Sequence, residues 1–304
     1  MPGGLLGIEP LDRVEMEAIL ERARHFQRQQ MEGRKSDQLR GRMLVNLFFE
    51  SSTRTRTSFE IAAKRLGADA ISITASGSSV DKGESLVDTL NTLGAMRPDA
   101  IVMRHAASGA PHFLARHLPT PIINAGDGTH EHPTQALLDA RTILDRRSTL
   151  EGLCVAIIGD IAHSRVARSN VIGLRALGAE VVLVGPPTLL PEAMESPGIR
   201  LSRDLDSVLP EVDAVMLLRI QRERIAAAVL PALDDYARNY RMDARRLQLL
   251  GPHAIVMHPG PYNRGVELTE EVLAFGGWRY AQQVAHGVSV RMAVLDFLVR
   301  GATA

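Results

Sequence analysis

Residues 48–60 read FFESSTRTRTSFE, running from Phe48 to Glu60. Just upstream, Met43 to Phe49 is an apolar run of strand length, and downstream Phe59 to Leu66 has helical spacing. Between them lie small hydroxyl residues and two arginines, Arg54 and Arg56. A strand that feeds directly into a helix start is the repeating joint of an open α/β sheet, and such sheets bind ligands beyond their carboxyl ends. The first amides of a helix lack internal partners and carry partial positive charge. Ser52, Thr53 and Thr55 add donors there, and Arg54 adds a fork that fits a phosphate. A lone Ser-Thr-x-Thr fits a capped helix with solvated arginines equally well, but the apolar flanks favour an anion cradle. The string is neither a Walker A loop nor a G-x-G-x-x-G dinucleotide turn.

Outward from this joint the same alternation repeats. Asp12 and Glu15 have capping-box spacing, and residues 13–30 read as an amphipathic helix. Strands are expected at 70–74, 100–103 and 121–124, with a helix at 86–93, a turn at 126–128 and a helix at 134–145. The rhythm restarts with strands at 155–158, 181–184, 213–218 and 254–257, and a helix at 166–177. Strands alternating with helices predict parallel sheets covered on both faces. Two doubly wound α/β domains fit 304 residues better than one very wide sheet. The boundary is expected near Pro133, giving domains 1–133 and 134–285. An amphipathic helix at 288–299, within a terminal segment of about 286–304, is expected to return to the first domain.

Composition narrows the function. Lys plus Arg and Asp plus Glu each number 35, so no basic surplus points to nucleic acid. The single cysteine, Cys154, excludes an internal disulfide and a Cys-x-x-Cys pair. The first residues do not read as a secretory signal, and no apolar run approaches the ~18 residues of a membrane span. A cytoplasmic location is the expectation.

The joint at 48–60 resembles the S-T-R-T-R signature of the aspartate/ornithine carbamoyltransferase family. Further segments resemble that family in order: SSVDKGES (78–85), VMRH (102–105), NAGDGTHEHPTQALLD (124–139), GDIAHSRV (159–166), LLRIQRER (217–224), MHPGPYNRG (257–265) and QQVAHGVSVRMAVL (282–295). The resemblance spans nearly the whole chain. It is nearer to the aspartate-specific branch, because ornithine enzymes show His-Cys-Leu-Pro where this chain has His258-Pro259-Gly260-Pro261.

The resemblance implies a carbamoyl transfer from carbamoyl phosphate to an amino acid, with no metal, nucleotide or other cofactor. It assigns Ser52, Thr53, Arg54, Thr55 and Arg104 to carbamoyl phosphate. His132 and Gln135 would meet the carbamoyl group, with the backbone at Gly260 and Pro261 accepting from its amide. Thr55, Arg104 and His132 are the candidate donors to the carbonyl oxygen, His132 as a hydrogen-bond donor rather than a base. Arg165, Arg219 and Gln221 would clamp the carboxylates of L-aspartate, since guanidinium forks match carboxylates. Ser78 and Lys82 would reach a neighbouring subunit's site, which implies a homotrimer with shared active sites. Regulatory chains or a dihydroorotase are further partners the resemblance admits. Two positions depart from relatives: Asp81, where some carry Lys or Gln, and Gly260, where some carry Leu. A transferase for another acceptor such as ornithine, or a non-catalytic anion-binding scaffold, are the competing expectations.

Overall fold

The computed structural model describes residues 3–74, 86–220 and 233–301. Ser78, Lys82 and Gln221 therefore lie outside the described residues. The chain divides into two compact units, 1–141 with 284–304, and 142–283.

In the first unit the described strands are β1 (Gly4–Leu5), β2 (Met43–Phe48), β3 (Asp69–Thr74), β4 (Ala100–His105) and β5 (Ile122–Asp127). They form one parallel sheet in the order β1-β5-β4-β2-β3. Parallel strands need crossovers, and helices α1 (Arg13–Met31), α2 (Thr53–Arg65), α3 (Leu86–Ala95) and α4 (Ala110–Ala115) occur between them. Asp12 caps α1 through the expected reciprocal pair with Glu15. β2 and β4 are largely buried, as strands covered on both faces must be. β3 is the exception: it is a sheet edge, exposed or half-buried throughout.

The chain passes into the second unit within α5 (Pro133–Leu144). There β6 (Cys154–Ile158), β7 (Glu180–Val184), β8 (Ile199–Ser202), β9 (Ala214–Leu217) and β10 (Ile255–Met257) form a second parallel sheet, ordered β10-β9-β6-β7-β8. Helices α6 (Arg165–Ala176), α7 (Leu205–Val208), α8 (Leu233–Tyr240), α9 (Ala244–Leu247) and α10 (Glu270–Ala274) accompany it. Its core gathers strand residues such as Ile158, Val182, Val215 and Val256 with Tyr236, Tyr240 and Leu268. The last helix, α11 (Tyr280–Gly301), starts in the second unit and enters the first at Val284.

Each sheet reverses direction once. The chain moves from β2 out to β3, then returns to the other side of β2 as β4. Likewise it moves from β6 to β7 and β8, then returns beside β6 as β9. These are topological switch points, where connections diverge and leave a crevice at the strand ends.

Two helix starts differ most from the sequence expectation. α2 begins at Thr53 rather than Phe59, because Ser52 caps it and the polar Ser/Thr/Arg string forms its first turns. Such residues lower interior helix propensity, which hides the turn from apolar periodicity. α11 begins at Tyr280, earlier than Val288.

Candidate active site

The residues expected to form an anion cradle lie at the switch point of the first sheet. The register pairs Phe48 of β2 with Arg104 of β4, and the next amide, Phe49 N, donates to Arg104 O at 2.9 Å. The α2 start and the Arg104 side chain thus leave neighbouring strand ends. Ser52 Oγ accepts from Thr55 N at 3.4 Å, and Ser58 Oγ donates to Thr55 O at 2.9 Å. Thr55 is buried; Thr53 and Arg54 are exposed at the turn. Arg104 donates to Ala125 O at 3.2 Å and to Glu50 Oε1 at 2.5 Å, so its guanidinium is held over the strand ends by both neighbours.

The turn after β5 brings His132 and Gln135 to the same edge. His105 of β4 pairs with Asp127 of β5. The Asp127 carboxylate is fully buried and accepts from Gly109 N (2.6 Å), Asn124 Nδ2 (2.8 Å) and Glu131 N (3.1 Å). It organises the backbone that leads into α5. His132 is buried, and Gln135 N donates to His132 O at 2.9 Å. Among the described residues, His112, Asp127 and His130 are the group whose ligand atoms lie close enough to hold a metal, within 4.8 Å of one another. Both Asp127 oxygens already accept hydrogen bonds there, so this carboxylate serves the turn.

Two buried charges that the sequence reading did not single out, Asp139 and Arg291, belong to the same unit. Gln135 Nε2 donates to Asp139 Oδ1 at 2.9 Å, one helical turn on. Arg291 of α11 is 3 % exposed, donates to Gly287 O at 2.9 Å, and lies 5.1 Å from the centroid of the Phe59 ring. Burial pushes its guanidinium down to about 9; Asp139 favours its charged form and Arg104 opposes it. It remains a cation at neutral pH. A Cβ at Gly287 would come within 2.5 Å of Arg291 Nη1, so glycine makes room for this side chain. An Arg inside the apolar run VSVRMAVL was the available signal.

The second sheet carries a matching set at its own switch point. Ile158 of β6 pairs with Leu217 of β9, and Leu218 N donates to Ile158 O at 2.8 Å. The segments leading to Arg165 and Arg219 therefore start side by side. Ser164 Oγ caps α6 by accepting from Ala167 N at 3.1 Å, which puts Arg165 at the first helical position, buried. Arg219 is half-buried. Met257 of β10 pairs with Met216 of β9, so the His258–Pro261 turn follows alongside. Gly260 has φ +67°, a left-handed conformation that favours glycine, and its amide donates to His258 Nδ1 at 2.8 Å.

Glu267, also absent from the sequence reading, ties these segments together. It accepts from Ile220 N at 2.9 Å and Asn263 Nδ2 at 2.8 Å, and also from Asn263 N. Burial raises its carboxyl above the usual range, while these hydrogen bonds and Arg219 oppose the rise. Cys154 is also raised, chiefly by burial, which makes it a poor nucleophile. No described helix is long and apolar enough to cross a membrane.

Residues 4–145 match the family model described as aspartate/ornithine carbamoyltransferase, carbamoyl-P binding domain. Residues 151–298 match the model of the Asp/Orn binding domain. The chain is 66% identical over 302 residues to the aspartate carbamoyltransferase catalytic subunit of Solibacter usitatus, covering 98% of this chain and 100% of that one. It is 55% identical over 298 residues to the catalytic subunit of Frankia casuarinae, covering 98% and 94%. The solved catalytic subunit of M. jannaschii aspartate transcarbamoylase superposes with a TM-score of 0.88 at 34% identity, with full coverage of both chains. The Trypanosoma cruzi enzyme in complex with carbamoyl phosphate and aspartate superposes with a TM-score of 0.88 at 33% identity, covering 96% and 95%.

Proposed function

The chain belongs to the aspartate/ornithine carbamoyltransferase family, and we propose that it transfers the carbamoyl group of carbamoyl phosphate to L-aspartate. The products are N-carbamoyl-L-aspartate and phosphate, a step of pyrimidine synthesis. The observation that carries the reading is the β2–β4 register, which sets Arg104 beside Phe48 just ahead of the α2 start, at the switch point of the first sheet.

In this mechanism Ser52, Thr53, Arg54 and Thr55, with the first amides of α2, hold the phosphate group. Arg104 reaches the same substrate. Attack by the aspartate amine builds negative charge on the carbonyl oxygen. Thr55, Arg104 and His132 meet it, each preplaced donor contributing about 2.7–4 kcal/mol. Gln135 and the backbone at Gly260 and Pro261 receive the carbamoyl amide. Arg165, Arg219 and Gln221 hold the two aspartate carboxylates. The new C–N bond forms, the C–O bond to phosphate breaks, and the departing phosphate takes the amine proton. The route draws only on groups of the polypeptide, with no cofactor.

The working unit is a cytoplasmic homotrimer in which Ser78 and Lys82 complete a neighbour's site. Support comes from the open edge of the first sheet. β3 runs directly into the segment bearing Ser78 and Lys82, and it exposes 51% of Ile71. Ile61 of α2 and Val87 of α3 are exposed as well. Among the described residues this edge is unpaired, and a sheet edge with apolar side chains is a surface that proteins ordinarily cover. Regulatory chains or a dihydroorotase would be additional partners of that trimer.

The test is phosphate release from carbamoyl phosphate with L-aspartate and L-ornithine offered in parallel. Release with aspartate alone, together with the mass of carbamoyl-aspartate, is expected. Release with ornithine overturns the acceptor, and a folded protein silent with both overturns the transferase reading.

A further inference from the structure

We infer that Asp139 is a positioning residue that fixes the amide of Gln135 so that the site selects an acyl phosphate bearing an N–H donor. This rests on the carbamoyl transfer proposed above and adds the basis of its donor-substrate choice.

A glutamine amide can present either its oxygen or its nitrogen to a ligand, and only its neighbours decide which. Here Gln135 Nε2 donates to Asp139 Oδ1 at 2.9 Å. An ionised carboxylate accepts and cannot donate, so the bond holds in one amide orientation only. Gln135 Oε1 is thereby committed as an acceptor. A carbamoyl group offers an NH2 donor to such an oxygen. An acetyl group of almost the same shape offers a methyl and leaves the buried acceptor unmet, which is costly.

The carboxylate is itself held. Asp139 is 0 % exposed, and its charge interacts favourably with the guanidinium of Arg291, also buried. Gly287 clears the space that Arg291 occupies and accepts its hydrogen bond. Arg104 lies near enough to Arg291 for the two cations to repel. Asp139 thus interacts with both a cation and the amide it orients. All of these groups belong to the first unit, so the device is complete within it.

The experiment compares KM for carbamoyl phosphate with the inhibition constant of acetyl phosphate in wild type, Asp139→Asn, Asp139→Glu, Gln135→Ala and the Gln135→Ala/Asp139→Asn double variant. Asn at 139 can donate as well as accept, so Gln135 is released to flip. Asp139→Asn is expected to weaken carbamoyl phosphate roughly tenfold, the loss of about one hydrogen bond, with acetyl phosphate changed less than about twofold. Asp139→Glu, which keeps an acceptor-only carboxylate, is expected to retain more of the preference. In the Gln135→Ala background Asp139→Asn is expected to leave the preference unchanged, because its effect passes through the missing amide. An unchanged preference in folded Asp139→Asn overturns the inference, as does an equal loss with and without Gln135. If Asp139→Asn does not fold, Asp139→Glu and Gln135→Ala decide: a preference unchanged in both overturns it. A wild-type chain that does not transfer the carbamoyl group defeats the functional reading instead, before any variant is compared.

Discussion

Replacing Arg54 with alanine should move activity and stability in different directions. Arg54 is exposed in the first turn of α2 and, among the described residues, has no ion-pair partner. That turn also lacks an acidic residue. A cation at a helix N-terminus opposes the partial positive charge of the free amides, an effect of about 0.3–1 kcal/mol. Surface substitutions otherwise stay within about 0.5 kcal/mol. The variant should therefore be as stable as wild type or slightly more stable. Its activity should fall sharply, because in the proposed mechanism a charged fork for the phosphate is lost. Removing one preplaced donor costs about 2.7–4 kcal/mol, or roughly a hundred- to a thousandfold in kcat. Urea unfolding gives the first quantity, and phosphate release with carbamoyl phosphate and L-aspartate gives the second. Near-normal turnover would refute the cradle. A stability loss above about 1 kcal/mol would show that Arg54 serves the fold, and the reasoning would fail on that side.

Three other outcomes are expected. Arg219→Ala should raise KM for L-aspartate far more than KM for carbamoyl phosphate; comparable rises would count against the carboxylate clamp. Mixing inactive Arg54→Ala chains with inactive Lys82→Ala chains and allowing subunits to exchange should restore part of the activity, since some shared sites would then be intact. No recovery from re-formed trimers would place Lys82 in its own chain's site. Glu267 has its carboxyl raised by burial above the reference value of 4.5. The folded chain therefore holds this proton more tightly than the unfolded chain, and stability from this group falls as pH rises from about 4.5 through the folded value. Urea midpoints for wild type relative to Glu267→Gln should decline over that window; a rise would reverse the assigned sign.

The sequence exposed those features that depend on local pattern. The strand-helix alternation, the Asp12–Glu15 cap and the polar string after Phe49 could all be read because neighbouring residues encode them. Strand order could not, since the return from β3 to the far side of β2 depends on pairings distant in sequence. β8 and α4 carry too few residues for a periodic signal. Among the candidate site residues, those at strand ends or helix starts stood out. Glu50, Asp139 and Glu267 did not, because an isolated charge in a mixed segment reads as surface; Arg291 did not either, although its apolar run marks it as buried. Their importance comes from partners that folding brings near: Arg104 for Glu50, and Ile220 for Glu267.

The first unit is interrupted by the second, and this orders the chain's synthesis. Residues 142–283 are contiguous and can fold once they have left the ribosome, whereas the first unit waits for residues after Val284. Asp139 is made long before Arg291, with some 150 residues between them. At about 5–20 residues per second, that buried acid waits roughly 8–30 s for its cation. Chains truncated after Gln283 should accordingly resist protease in the later unit while the earlier one is still cut. The favourable charge interaction of Arg291 with Asp139 thus forms only once the chain has been translated past α11, which makes it a late-arriving brace for α5.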